Sequence, residues 1–109
     1  RLDHVLANIH LLMNPMQAGI DAFIIDINNK IYLRNNSFDI EKDKQFGNYV
    51  SLLPFSEKVT NITLKGFKYP LENATLLAGS SLGISNEIVD STASVIFDEG
   101  ILLVMESKD

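Results

Sequence analysis

Two stretches of this sequence carry side chains suited to holding a charged or heteroaromatic molecule. The first is Arg1-Leu2-Asp3-His4, at the entrance of an apolar helical pattern. A helix N-terminus presents free N–H groups and a partial positive charge, and both favour a phosphate. Arg1 adds a planar fork for phosphate oxygens or a face that stacks on a base. Asp3 offers the single carboxylate that Mg²⁺ takes alongside substrate phosphates. The plain structural reading stands beside this one: Asp3 as a helix N-cap and Arg1 as a solvated end. The second stretch is Gly79-Ser80-Ser81-Leu82-Gly83-Ile84-Ser85-Asn86-Glu87. Small residues there let backbone approach a ligand. Ser85 and Asn86 present adjacent donors and acceptors that suit the edge of a heteroaromatic ring. A hairpin loop leading into a strand is the competing reading, and Tyr69-Pro70-Leu71-Glu72-Asn73 reads as turn chemistry in the same way.

Other signatures of chemistry are missing. There is no phosphate-binding glycine loop, no HExxH, no nucleophile elbow and no EF-hand pattern. His4 and His10 lie six residues apart, whereas ligands on one helix face need a spacing of three or four, so His10 is expected on the surface. The triplets Asn35-Asn36-Ser37, Asn61-Ile62-Thr63 and Asn73-Ala74-Thr75 match the glycosylation pattern by chance in an Asn-rich chain.

The elements that must position these residues fall into two textures. Leu2, Val5 or Leu6, Ile9, and Leu12 or Met13 recur at helical spacing and predict an amphipathic helix over Asp3 to Met13. Asn14-Pro15 ends it, with one further turn over Pro15 to Ala18 stopped by Gly19. Ala22 to Ile27 and Lys30 to Arg34 then read as a hairpin turning at Asn28-Asn29. A polar stretch from Asn35 to Asn48 holds the softest boundary, with a short Ser37 to Ile40 segment of open state. Beyond it strands are predicted at Tyr49 to Pro54, Val59 to Gly66, Asn73 to Leu77, Gly83 to Val89, Ala93 to Phe97 and Ile101 to Ser107. The Asp98-Glu99-Gly100 turn joins the last two as a hairpin. The expected class is mainly β, an antiparallel β-sandwich preceded by one helix and a hairpin. The two expected units are residues 1–47 and 48–109.

Composition bounds the functions. The 109 residues suffice for one modest core, and 46% hydrophobic with 21% charged residues is ordinary for a globular chain. The net charge of −5 and the scattered basic residues argue against nucleic acid as a partner. The longest apolar run, Gly100 to Met105, is far below the ~20 residues of a membrane span, so no membrane association is expected. With no cysteine, thiolate chemistry is excluded and the cytoplasm is the expected compartment. The strand Ile101 to Met105 is apolar on both faces and is expected to draw cover from a second copy.

These stretches, taken in order, resemble the C-terminal part of a bacterial thiamine pyrophosphokinase. The residues that carry the resemblance are Arg1-Leu2-Asp3-His4 with Leu6-Ala7-Asn8, then Leu64 to Ala74, then Gly79 to Glu87, and the closing Glu99-Gly100-Ile101-Leu102-Leu103-Val104. The resemblance implies an N-terminal α/β domain for ATP and metal and a C-terminal β-sandwich for thiamine, paired in a homodimer. By it, residues 1–47 would close the first domain and residues 48–109 would form the second. The paired glycines and the aspartate-rich motif of the family are not among these residues, which implies the last segment of a longer enzyme, inactive by itself. The implied roles are Arg1 and His4 on the ATP phosphates, Asp3 on Mg²⁺ or on the attacking hydroxyl, and Ser85 and Asn86 on the aminopyrimidine of thiamine. The implied reaction gives thiamine diphosphate and AMP.

Overall fold

Period-two alternation along the strands builds two antiparallel sheets packed face to face. The computed structural model describes residues 2–108 and the side chains of residues 3–108. One sheet has the order β1 (Ile24–Ile25), β2 (Asn29–Arg34), β8 (Leu102–Ser107), β4 (Tyr49–Pro54). The other has the order β3 (Phe38–Glu41), β7 (Thr92–Ile96), β5 (Lys58–Lys65), β6 (Leu71–Leu77). Every pairing is antiparallel. Val50, Leu52, Leu102 and Val104 meet Val59, Ile62, Leu64 and Val95 in the core between the sheets. The fold is therefore a mainly β sandwich, as the strand spacing predicts.

The second face of the β2–β8–β4 sheet is covered from within the chain. Helix α1 (Leu2–Leu11) and the short α2 (Met13–Gln17) lie against it. Ile9 and Leu12 pack there with Ile31 and Leu33, and Leu103 and Met105 join them. The second apolar face of β8 thus lies against these helices. Pro15 falls in the first turn of α2, where its missing N–H costs nothing. The helix then stops at Gly19 (φ 75°), with Gly19 N–H donating to Met16 and Ile20 N–H to Pro15, a Schellman cap.

Several elements differ from the sequence reading. The strand expected over Ala22 to Ile27 pairs only at Ile24 and Ile25. Its turn is organised by Asp26, whose Oδ1 accepts the N–H groups of Asn28 (2.8 Å) and Asn29 (2.7 Å). Those two bonds hold the Asp26 carboxyl below its ordinary pKa. Neither Asn28 nor Asn29 takes the positive φ expected of them. The Asp98-Glu99-Gly100 turn does not make a hairpin, because β7 and β8 belong to opposite sheets. It is a crossover, bridged to β5 at Thr60–Glu99. Gly100 (φ 117°) passes so close to β5 that a Cβ would sit 2.5 Å from the Lys58 carbonyl oxygen. Strands β2 and β3 precede residue 48 yet pair with β8 and β7, which follow it.

The inner face of β2 carries one buried polar group. The Tyr32 hydroxyl donates to Glu106 Oε2 at 2.6 Å, and Phe46 N–H donates to Glu106 Oε1 at 3.0 Å. Both carboxylate oxygens are thereby satisfied, as burial requires. Burial, with the Glu106 charge beside it, pushes the Tyr32 hydroxyl far above the usual tyrosine pKa. Among the described residues no helix is long and apolar enough to cross a membrane.

Candidate functional site

The glycine-rich stretch is a loop rather than the strand expected over Gly83 to Val89. Residues 82–85 turn, and only Asn86 and Ile88 make isolated bridges, to Val50 and Phe67. The Asn86 bridge is a mutual pair, with both N···O distances 2.8 Å. One turn earlier, Leu52 N–H donates to the Gly83 carbonyl at 2.7 Å. Gly83 has to be glycine, because a Cβ would lie 2.3 Å from the Leu52 carbonyl oxygen. The loop is thus laid along the free edge of β4.

Asn86 is 1% exposed, and its amide is spent on main chain. Nδ2 donates to the Tyr69 carbonyl at 2.8 Å, while Oδ1 accepts the N–H groups of Tyr69 (2.9 Å) and Glu87 (3.0 Å). Both lone pairs of Oδ1 are engaged and one N–H of the amide is left. Asn86 therefore ties three backbone groups together and sets where Tyr69 stands. Ser85 is exposed and holds a positive φ of 53°, and its N–H donates to Ser51 Oγ at 3.0 Å.

Around this loop the surface is partly apolar. Tyr69 is 54% exposed, and Leu82 and Ile84 are also exposed. Lys68 Nζ lies 5.5 Å above the Tyr69 ring and 3.5 Å from Glu87 Oε2. The Tyr69 oxygen, then the Glu87 carboxylate, raise the Lys68 pKa above the lysine norm. An exposed aromatic ring is a group that suits stacking on a flat heteroaromatic ligand. Tyr69 is the residue that sequence reasoning passed over as turn chemistry. Its only sequence signal was an aromatic ring inside a turn, and the clamp that fixes it comes from seventeen residues downstream.

The other expected site residues stand on a different layer. Asp3 and His4 lie on α1, which packs through Ile9 on the outer face of the β2–β8–β4 sheet. Helix α1 includes Leu2, so Asp3 sits inside the first turn instead of capping it. Asp3 Oδ1 accepts the His4 N–H at 3.0 Å, and its charge suits that end of the helix dipole. His10 is exposed, with its ring 5.1 Å from that of Phe55. Arg1, and the role expected of it, lie outside the described residues. Among the described residues no group of three or more His, Asp or Glu side chains could hold a metal ion. Asp3 can contribute one carboxylate to Mg²⁺, and the remaining ligands would be phosphate oxygens, water or groups beyond these.

Residues 35–102 match the family model of the thiamin pyrophosphokinase vitamin B1 binding domain. The thiamine pyrophosphokinase of Bacillus subtilis (strain 168) is 43% identical over 110 residues, covering 100% of this chain and 51% of that protein. The crystal structure of the Bacillus subtilis thiamine pyrophosphokinase superposes with a TM-score of 0.93 at 43% identity, over 100% of this chain and 51% of that one. The corresponding protein of Geobacillus thermodenitrificans gives a TM-score of 0.87 at 39% identity, over 100% and 50%. The thiamin pyrophosphokinase of Candida albicans shares the fold, with a TM-score of 0.79 at 22% identity over 99% and 41%. The chain thus spans about half the length of the relatives it matches.

Proposed function

The chain belongs to the thiamin pyrophosphokinase vitamin B1 binding domain family, and from that premise we propose that it forms the thiamine-holding part of a thiamine diphosphokinase. The observation that carries this reading is the loop at the β4 edge. It exposes Ser85, and the next residue, Asn86, clamps the main chain of the exposed Tyr69. In this reading the Tyr69 ring lies against the aminopyrimidine, and Ser85 Oγ bonds its polar edge. Asn86 acts mainly through the Tyr69 main chain, and its one remaining N–H is available to the ligand.

The reaction proposed for the whole enzyme is transfer of diphosphate from ATP to the thiamine hydroxyl. The hydroxyl oxygen attacks the β-phosphorus, the bond to the α-phosphate oxygen breaks, and AMP leaves as the hydroxyl proton is given up. Such a transfer depends on holding the two reactants in line and on neutralising charge, so no protein nucleophile is required. Asp3 is proposed to bind Mg²⁺ or to orient the hydroxyl, and Arg1 and His4 to meet the ATP phosphates. Mg²⁺, where bound, would neutralise the phosphate oxygens. Because Asp3 and Ser85 lie on different layers of the chain, a homodimer that brings them together from two copies is part of the proposal. The cysteine-free sequence supports the cytoplasm as its compartment.

For residues 1–109 by themselves we propose binding without turnover. The support is that the chain spans about half the length of the relatives it matches. The test is a product assay on a protein that carries these residues in a chain of the relatives' length, with ATP, Mg²⁺ and thiamine. Thiamine-dependent AMP is expected. ADP as the only nucleotide product, or no AMP from a folded protein that still binds thiamine, would overturn the kinase reading and leave a ligand-binding module.

A further inference from the structure

The loop is one residue longer than the strand edge it lies on. Val50 pairs with Asn86 in both directions, and a regular antiparallel ladder would next join Leu52 to Ile84. Leu52 N–H instead reaches the Gly83 carbonyl at 2.7 Å. Two loop residues, Ile84 and Ser85, therefore face the single residue Ser51, which is the count of a β-bulge. Ser85 absorbs the extra length by adopting φ 53°. That is the left-handed region, which L side chains other than Asn and Asp rarely occupy and which glycine enters without penalty. In a regular ladder residue 85 would face Ser51 at a non-hydrogen-bonded position, with no strand partner for its N–H. Here Ser51 Oγ takes it, at 3.0 Å.

A serine in a backbone conformation that glycine would adopt more easily points to a use for its side chain. We infer that Ser51 is a positioning residue of the ligand site: its hydroxyl holds the Ser85 backbone in the left-handed bulge and so aims the Ser85 hydroxyl outward from the β4 edge. The inference rests on the reading of this loop as a thiamine site. Ser51 does not touch the ligand. It holds the Ser85 N–H between two neighbours, Val50 and Leu52, that dock the loop through their own backbone. The three consecutive β4 residues thus hold the loop ready-made before any ligand arrives, which limits the ordering that binding requires.

The experiment compares wild-type chain with Ser51→Ala and Ser51→Thr by amide hydrogen exchange and by thiamine titration. In Ser51→Ala the Ser85 amide is expected to exchange at least tenfold faster, while the Val50 and Asn86 amides keep their protection. Thiamine affinity is expected to fall about tenfold in Ser51→Ala and to return to within about twofold of wild type in Ser51→Thr, which restores the hydroxyl. A general loss of fold would instead speed exchange across the whole sandwich core, and threonine would not rescue it. Wild-type thiamine affinity in Ser51→Ala, or an unchanged Ser85 exchange rate, overturns the inference. If wild-type chain takes up no thiamine, the site reading fails and takes the inference with it. The exchange data tell that outcome from a failure of the Ser51–Ser85 bond alone.

Discussion

Replacing Asn86 by alanine tests the central claim about the loop, that its buried amide bears on the main chain of Tyr69. Three hydrogen bonds are lost, to the Tyr69 carbonyl, the Tyr69 N–H and the Glu87 N–H. At about 1 kcal/mol of net stability each, the upper figure is about 3 kcal/mol. Tyr69 and Glu87 are not buried, so water can satisfy part of what is freed, and about 2 kcal/mol is the expected loss. Urea unfolding followed by circular dichroism reads this directly. With a slope of about 1.5 kcal/mol per M, typical of a small domain, the midpoint should fall by about 1.3 M at unchanged slope. Asn86→Asp separates the two halves of the clamp. It keeps an acceptor for the Tyr69 and Glu87 N–H groups but turns an oxygen toward the Tyr69 carbonyl and buries a charge, so it should cost at least as much as alanine. A loss below about 0.5 kcal/mol for Asn86→Ala would refute the claim, since ordinary surface changes fall in that range.

Three further outcomes follow from other parts of the molecule. The Tyr32 hydroxyl is held protonated in the fold, so its contribution is complete below the unfolded tyrosine pKa of about 10 and is lost as pH rises above it. Wild-type stability should fall between about pH 10 and 11 with a slope approaching 1.4 kcal/mol per pH unit, and Tyr32→Phe should remove that share of the slope in urea titrations at the two pH values. Gly100→Ala places a Cβ 2.5 Å from the Lys58 carbonyl oxygen at a φ of 117°, and a loss of more than about 1 kcal/mol is expected in thermal unfolding. Tyr69→Ala should weaken thiamine binding about fivefold by calorimetry, the effect of one lost ring contact, whereas Tyr69→Phe keeps the ring and should stay near wild type.

Much of the sandwich is legible in local pattern. Val50-Ser51-Leu52 alternates with the period of a half-buried strand, Leu102-Leu103-Val104 is a short run apolar on both faces, and β4 and β8 occupy those residues. The helix over the opening residues follows from its apolar spacing, though it ends at Leu11 rather than at Asn14-Pro15, which lie inside α2; the stop of α2 at Gly19 follows from the freedom of glycine at positive φ. Ser85 and Asn86 also stand out in the sequence as adjacent polar residues in a small-residue stretch. Pairing partners are another matter. The local signal around Asp98-Glu99-Gly100 is that of a hairpin, yet β7 pairs with β3 and β5 while β8 pairs with β2 and β4. A turn's residues fix its backbone angles but carry no information about which sheet offers the better apolar face.

The sequence by itself determined the strand-rich class, the family and the two stretches with chemical potential, because residue type and short-range spacing encode each of these. Only the tertiary structure decided how those stretches are placed. It turned the expected strand after Gly83 into a loop bulged over Ser51, since Leu52 reaches the Gly83 carbonyl rather than that of Ile84. It made Asn86 a buried clamp and Tyr69 the exposed ring beside it, through hydrogen bonds between residues seventeen positions apart. It covered the second face of β8 with α1 and α2 and set Asp3 on that helical layer. The physical reason is common to all three. Hydrogen-bond partners and buried faces are chosen among groups distant in sequence, by geometry that no local pattern contains.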